Sequence, residues 1–146
     1  MTETQDFIEI RIINAVRALL SGQANELLKK TQFHIPIIEF GGSGCGSVIS
    51  PVIALSSCER TEKERVIRLD AYTLTITFTS VDTPESELYC YAYSGAISRA
   101  VYDNPTLGGC VSRAAISGKK YVPPKMPHCG EGWSLVITLR LTTEAI

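Results

Sequence analysis

The sequence has no excess of charge of either sign and no long apolar run. Its 146 residues include 14 basic and 15 acidic ones, which leaves a net charge of −1. Because sequence-independent binding to nucleic acid needs a basic surface, this balance does not indicate that mode of binding. No stretch approaches the roughly 20 apolar residues of a membrane-spanning helix. The start "MTETQDF" has no basic region and no cleavage signal, so we expect no secretion.

Histidine is scarce, which limits the available chemistry. The two histidines, His34 and His128, both lie close to prolines in loop-like segments. A serine or cysteine nucleophile needs a base within hydrogen-bond reach, and neither histidine has an orienting carboxylate nearby in the sequence. The acids Glu59, Glu62 and Glu64 alternate with basic residues, as in a solvated hairpin tip. We therefore predict no enzyme and no catalytic residue.

The five cysteines are an odd number and contain no C-x-x-C pair. Such a set argues against a disulfide framework and favours reduced thiols in a cytoplasm. Zinc is the metal that these residues would hold, but they lack the close paired spacing of structural zinc sites. We predict neither a metal site nor a cofactor from the candidate ligands, which are His34, Cys45, Cys58, His128 and Cys129.

A glycine-rich stretch, "GGSGCGS" at 41–47, follows the apolar run "IPIIEF". A strand that leads into glycines is where phosphate-binding proteins place their loop. Here no lysine follows the glycines, and the loop leads into a strand rather than into a helix with free amide donors. We expect a surface loop that binds no nucleotide. It lies in an insertion around 34–50 of a single domain, 1–146.

Two segments have the apolar spacing of amphipathic helices. The first is "TETQDFIEIRIINAVRALLSG", with a capping box at Thr2 and Gln5 and a stop at Gly22; "ANELLKK" adds a turn or two. The second is "DTPESELYCYAYSGAISRAVYDNP", which Asp82 or Thr83 caps and Asn104 ends. A glycine inside a helix costs up to about 1 kcal/mol relative to alanine, so we expect Gly95 to pack closely against a sheet.

Four segments predict strands, and their order predicts the fold. They are "SPVIALSSCER", "RVIRLDAYTLTITFTS", "GCVSRAAISGKKYV" and "WSLVITLRLTT". The second changes the phase of its apolar residues between Ala71 and Tyr72, which indicates a β-bulge or a bend. The last alternates cleanly and should bury Trp133, Leu135, Ile137, Leu139 and Leu141. We predict an α+β fold of order α-β-β-α-β-β, with both helices on one face of an antiparallel sheet of four or five strands.

From about residue 51 to 144 the chain resembles the tail terminator (tail completion) proteins of long-tailed bacteriophages. Three pieces carry the resemblance: the strand "IRLDAYTLTITFTS" leading to an acid-started helix, the helix end and turn in "AVYDNPTLGGCVSRAAI", and the closing strand "GWSLVITLRLTT". The N-terminal helix also fits the order of elements in the family. Residues 22–50 have no counterpart and look like an insertion.

The resemblance implies a non-enzymatic function. Members of the family form six-membered rings that cap the tail tube, stop its polymerisation and offer a surface to the neck of the head. The implied partners are further copies of the chain, the major tail tube protein and a head-neck completion protein, while DNA only passes through the lumen and no membrane is involved. The implied location is the tail–neck junction of the virion, after assembly in the host bacterial cytoplasm.

A ring closed by rotation needs two different complementary patches on each subunit. The first candidate is the charged hairpin, whose residues are Glu59, Arg60, Glu62, Lys63, Glu64 and Arg65. The second is the threonine face of the strand at 72–79. Two alternatives stay open: a related neck or minor tail component, and a small-molecule-binding α+β domain that uses the loop at 41–50.

Overall fold

Helices cover one face of a four-stranded antiparallel sheet, which confirms the predicted α+β class and its order of elements. The structure is a computed structural model that describes residues 7–31, 34–40, 48–63, 67–81, 83–125 and 131–145. The helices are α1 (Ile8–Leu19), α2 (Asn25–Lys29) and α3 (Ser86–Asp103). The strands are β1 (Ile37–Ile38), β2 (Val48–Ile49), β3 (Val52–Lys63), β4 (Ile67–Val81), β5 (Arg113–Val122) and β6 (Glu131–Ala145). The sheet has the order β3-β4-β6-β5, and β1 and β2 form a separate parallel pair.

The first helix does not stop at Gly22, so that prediction was wrong. A π-helical turn at Leu20–Ala24 joins α1 to α2, which confirms the helix predicted at "ANELLKK". The buried residues follow one another at intervals of four: Ile12, Val16, Leu20, Ala24 and Leu28. In an α-helix this interval drifts by about 40° at each step, and a π turn holds more residues and offsets the drift. Thr2 and Gln5 lie outside the described residues.

Helix α3 lies across β4, β5 and β6 and buries a side that includes Tyr93, Ile97 and Val101. It ends at Asn104, as predicted, where the side-chain amide donates to Ala100 O at 2.9 Å. Two expectations at this helix were wrong. Gly95 is exposed and a Cβ there would meet nothing within 4 Å, so packing against the sheet does not explain it. The cap position is Glu85, without a side-chain cap, and Thr83 does not cap the helix; Asp82 lies outside the described residues.

The turn after α3, "NPTLGG", reverses the chain into β5 through three successive residues with positive φ. They are Leu107 at 49°, Gly108 at 72° and Gly109 at 90°. Leucine rarely adopts such a φ, but the Leu107 side chain is buried in the core, which offsets the strain. Ala114 N donates to Pro105 O at 2.6 Å and ties the turn to the strand that follows.

Where a bulge or a bend was predicted, between Ala71 and Tyr72, β4 stays in register with β6. The β4–β6 ladder shifts only later, between Thr79 and Val81, and the β3–β4 ladder shifts between Leu55 and Ser57 of the neighbouring strand. The apparent change of phase has another cause. Asp70 occupies a position in phase with the core-facing residues of β4, while the small Ala71 is buried on the opposite face.

The core lies between the sheet and the helices. Leu135, Ile137, Leu139 and Leu141 are fully buried as predicted, whereas Trp133 is only partly buried. Phe78 of β4 stacks on Tyr93 of α3 with ring centroids 4.7 Å apart, and the Tyr93 hydroxyl donates to Pro36 O at 2.6 Å. The start of the predicted insertion is part of this core, because Ile35 and Ile38 are buried there. The glycine-rich loop itself, 41–47, lies outside the described residues.

Candidate assembly surfaces

The charged candidate residues lie within a β-ladder rather than in a connection. Glu59–Lys63 belongs to β3, where the ladder pairs it with residues 67–71 of β4. The strand predicted at "SPVIALSSCER" was expected to end at Arg60, and β3 instead continues to Lys63. Glu64 and Arg65 lie outside the described residues. Glu59 is exposed at the free edge of the sheet.

Arg60 already has a partner within its own subunit. Its Nε lies 2.7 Å from Oδ1 of Asp70 and its terminal nitrogen donates to Oδ2 at 3.0 Å, which makes a bidentate cross-strand pair. The Asp70 side chain is 11% exposed and that of Arg60 is 55% exposed. The hydrogen bonds from Arg60 lower the pKa of Asp70, against the opposing effect of burial. Among the charged candidates, Arg60 is therefore not free to pair with another subunit without exposing Asp70.

A cavity of about 490 Å³ lies beside this pair, where the start of α1, the start of β4, the end of β6 and the turn before β5 meet. Its lining includes Arg11, Asp70, Tyr72 and Cys110. Burial, with a smaller effect of Cys58, raises the pKa of Tyr72 to about 12, and burial also raises the pKa of the Cys110 thiol. Both groups are protonated at neutral pH, so neither supplies an anionic nucleophile.

The face of the sheet opposite the helices carries small and β-branched residues. On β4 the predicted threonine face is present: Thr73, Thr75 and Thr77 are half-buried and Thr79 is exposed. The face continues on β6 with Ser134, Val136, Thr138 and Thr142. Its charged members include Arg140, which is exposed on the inner strand β6 opposite Thr73, and the edge residues Arg113, Lys120 and Glu59. No helix among the described residues covers this face.

Both edges of the sheet, β3 and β5, carry a bulge of similar construction. In β3 the register shifts at Ser56, whose hydroxyl donates to Thr73 O at 3.2 Å. In β5 it shifts at Ser117, whose hydroxyl donates to Thr138 O at 3.2 Å. Each serine thus bonds to the backbone of the adjacent inner strand. Bulges interrupt the row of free backbone groups that an edge offers to other strands.

A groove of about 620 Å³ lies between α3 and β5, and sequence reasoning missed it. Apolar residues such as Val101, Ala114 and Ile116 line it, and Arg113 and Lys119 stand at its border. Tyr102, on the rim, is 79% exposed. The sequence did contain one signal for this groove. Tyr102 directly follows the buried side of α3, and no apolar residue one helical turn away covers its ring.

The exposed tyrosine of the other flank, Tyr91, packs differently. Its hydroxyl donates to Glu87 at 2.7 Å and its ring lies 5.5 Å from that of Tyr121. The three tyrosines of the first half of α3 therefore divide between core and surface. Tyr93 is fully buried, Tyr89 is half-buried against the core and Tyr91 is exposed.

Within the described ranges, no three histidine, cysteine, aspartate or glutamate residues group closely enough to hold a metal ion. Of the zinc candidates, Cys45, His128 and Cys129 lie outside those ranges. Cys58, Cys90 and Cys110 are free thiols. None of the helices formed by the described residues combines the length and the hydropathy that a membrane crossing needs. No protein-family model and no curated protein sequence matches the chain.

Proposed function

We propose that this chain is a non-enzymatic tail terminator of a long-tailed bacteriophage. Six copies form a ring that caps the tail tube, stops its polymerisation and offers a joining surface to the head-neck completion protein. The ring assembles in the host bacterial cytoplasm and stays at the tail–neck junction of the virion. The resemblance of residues from about 51 to 144 to that family motivates the proposal, and the fold has the order of elements that the resemblance implies.

The observation that carries the proposal is a sheet with two free edges of different character. A ring closed by rotation joins one patch of each subunit to a different patch of the next. Edge β5 carries exposed Arg113, Lys119 and Lys120 and no acid, whereas edge β3 carries exposed Glu59. Arg60 is neutralised within the subunit by Asp70. One subunit thus offers a basic edge and a locally acidic edge on opposite sides, as head-to-tail closure requires.

The helix-free face supports the same proposal. On its two inner strands, β4 and β6, threonine, serine, alanine and valine predominate, and Arg140 is the one charged residue between the Ala71–Thr142 and Thr79–Ser134 pairs. A surface that DNA must slide past cannot bind phosphate strongly, and a face with so few charges on its inner strands is compatible with this condition. In the proposed ring this face turns toward the lumen, and the helices turn outward.

Mass and shape test the assembly. Light scattering of the purified chain should give six times its mass of 15.9 kDa, and electron microscopy should show rings. A monomer at every concentration would reject the proposal and favour a ligand-binding domain. Complementation tests the role: a phage without this gene should make overlong tails that do not join heads, and the gene supplied from a plasmid should restore both. Normal tails in its absence would reject the terminator role even if rings form.

A further inference from the structure

The two free edges of the sheet lie at matching levels. Counting across the ladders, Arg113 opposes Thr142, Thr142 opposes Ala71 and Ala71 opposes Glu59. Arg113 and Glu59 therefore stand at opposite ends of one row. At the other end of the sheet, Lys120 and Val52 are joined in the same way through Val136 and Thr77. A neighbour generated by rotation about an axis along the strands brings the two ends of each row together.

The directions of the strands are compatible with a joint in which the β3 edge of one copy pairs with the β5 edge of the next. Four antiparallel strands in the order β3-β4-β6-β5 leave β3 and β5 pointing in opposite directions. When the β3 edge of one copy meets the β5 edge of another by rotation, the new pair is antiparallel, like every other pair in the sheet. An antiparallel pair alternates side chains between the two faces in step on both strands.

The bulges are compatible with the joint as well. Seven positions separate Val52 from Glu59 and Arg113 from Lys120, and each interval contains one bulge. Both bulges border the same row, that of Leu74 and Leu139. If the bulge residues Ser56 and Ser117 are left out of the count, each residue of β5 in this interval lies opposite a residue of β3 whose side chain points to the same face of the sheet. A bulge on only one edge would shift the two strands by one residue beyond the bulge, and paired side chains would then point to opposite faces of the sheet.

We propose, on the basis of the proposed ring, that the β5 edge of each copy pairs with the β3 edge of the next, with Arg113 beside Glu59. The opposite charges fix the register, because neither residue forms an ion pair with another described residue of its own subunit. The groove beneath the β5 edge receives the helix-side residues of the incoming strand. At the other end of the joint, Lys120 covers Val52, which is 66% exposed in the single subunit.

A charge swap tests the pairing. Arg113→Glu and Glu59→Arg should each weaken assembly on the order of tenfold or more, because each places like charges together at every joint of the ring. The double variant should restore most of the lost assembly. Arg140→Glu is the matched control, since Arg140 is an exposed arginine on the central strand β6, away from both edges. Circular dichroism of each variant should match the wild type.

A cross-link tests the same contact without relying on the strength of an ion pair. Within one subunit, three strand spacings of roughly 4.8 Å separate positions 59 and 113, far more than a disulfide spans. The variant with Glu59→Cys and Arg113→Cys, in a Cys58→Ser background, should therefore cross-link only between copies. Oxidation should give covalent species of two to six chains, and each single cysteine variant should give none of the larger ones.

The outcomes separate the two proposals. Wild-type rings together with unaffected charge variants and no cross-linked ladder would overturn this joint and leave the terminator proposal standing. A wild-type protein that never assembles would overturn both. Rings that the single reversals weaken, that the double reversal restores and that the cysteine pair locks would support the joint.

Discussion

Asn25 holds the segment before the glycine-rich loop against the helices, and its removal should destabilise the protein strongly. Its amide nitrogen donates to Ile38 O at 2.7 Å and to Ser21 O at 3.1 Å, and its oxygen accepts from Ile38 N at 2.7 Å. Asn25 is 5% exposed and Ile38 is 1% exposed. The side chain thus bonds to both backbone groups of Ile38 as a neighbouring strand would.

Asn25→Ala leaves the buried N–H and C=O of Ile38 without these partners. A buried polar group that loses its partner costs about 1–3 kcal/mol, so two such groups should lower the free energy of unfolding by about 2–4 kcal/mol after partial relaxation. This is a large fraction of the roughly 5–15 kcal/mol of a typical domain. Urea denaturation followed by the fluorescence of Trp133 measures it.

Asn14→Ala is the matched control for this change. Asn14 is an exposed asparagine of α1, so its replacement gives the same gain in helix propensity without the loss of buried hydrogen bonds. The difference between the two variants therefore isolates the buried bonds to Ile38. Equal free energies of unfolding, within about 0.5 kcal/mol, would refute the structural role given to Asn25.

Four further perturbations have defined outcomes. Ile137→Ala, at a fully buried position of β6, should cost about 2–5 kcal/mol in urea denaturation. Gly95→Ala should raise the melting temperature, since alanine gains up to about 1 kcal/mol in a helix and its Cβ meets nothing within 4 Å. The pKa of Asp70 is lower in the folded protein than in the unfolded chain. The stabilisation that ionised Asp70 provides is therefore complete above its unfolded pKa of about 4 and is lost as the pH falls below that value. Asp70→Asn should flatten this acid dependence in thermal melts. Burial raises the pKa of Cys90 to about 11, so iodoacetamide should label it only after unfolding.

Three of these tests have an internal comparison. Val136→Ala, half-buried on the helix-free face of the same strand, should cost less than Ile137→Ala. Gly108→Ala, at a φ of 72°, should lower the melting temperature where Gly95→Ala raises it. Cys58 is exposed and should react with iodoacetamide in the folded protein. Reversed orders in these comparisons would contradict the burial or the backbone geometry described above.

Regular apolar patterns predicted most of the fold. The alternation of Leu135, Ile137 and Leu139 identified both the strand and its buried face, because a half-buried strand must alternate. The stripes of α1 and α3 identified their buried sides in the same way. These features are local, so one sequence is enough to predict them.

The errors fall where a distant partner decides the outcome. Asp70 faces the core side of β4 because Arg60, on another strand, neutralises it, and a reading of apolar phase cannot anticipate that pair. Gly22 was expected to end the helix, but the amide of Asn25 bonds to Ile38 and to the carbonyl of Ser21 across the π turn. The sequence did contain one signal, the interval of four between buried residues, which a single α-helix does not accommodate.

The same reasoning explains why charge alone did not define the proposed assembly surface. The stretch "ERTEKER" has nearly balanced charge, and its contact chemistry depends on which charges are already paired. Pairing of Arg60 with Asp70 leaves Glu59 as the unpaired charge among the described side chains of that edge. The opposite edge is recognisable from sequence, since "RAAISGKKYV" contains three basic residues and no acid.

The bulges of the two edge strands would protect the proposed ring from indiscriminate association. An exposed edge strand pairs with other strands unless something blocks it, and a bulge is one of the common blocks. A straight foreign strand meets the bulge at Ser56 or Ser117 and loses its register there. In the proposed joint, the other edge of the same chain carries a bulge beside the same row and stays in register on both sides. The bulges would then disfavour foreign strands while admitting a second copy, and closure of the ring would leave neither edge free.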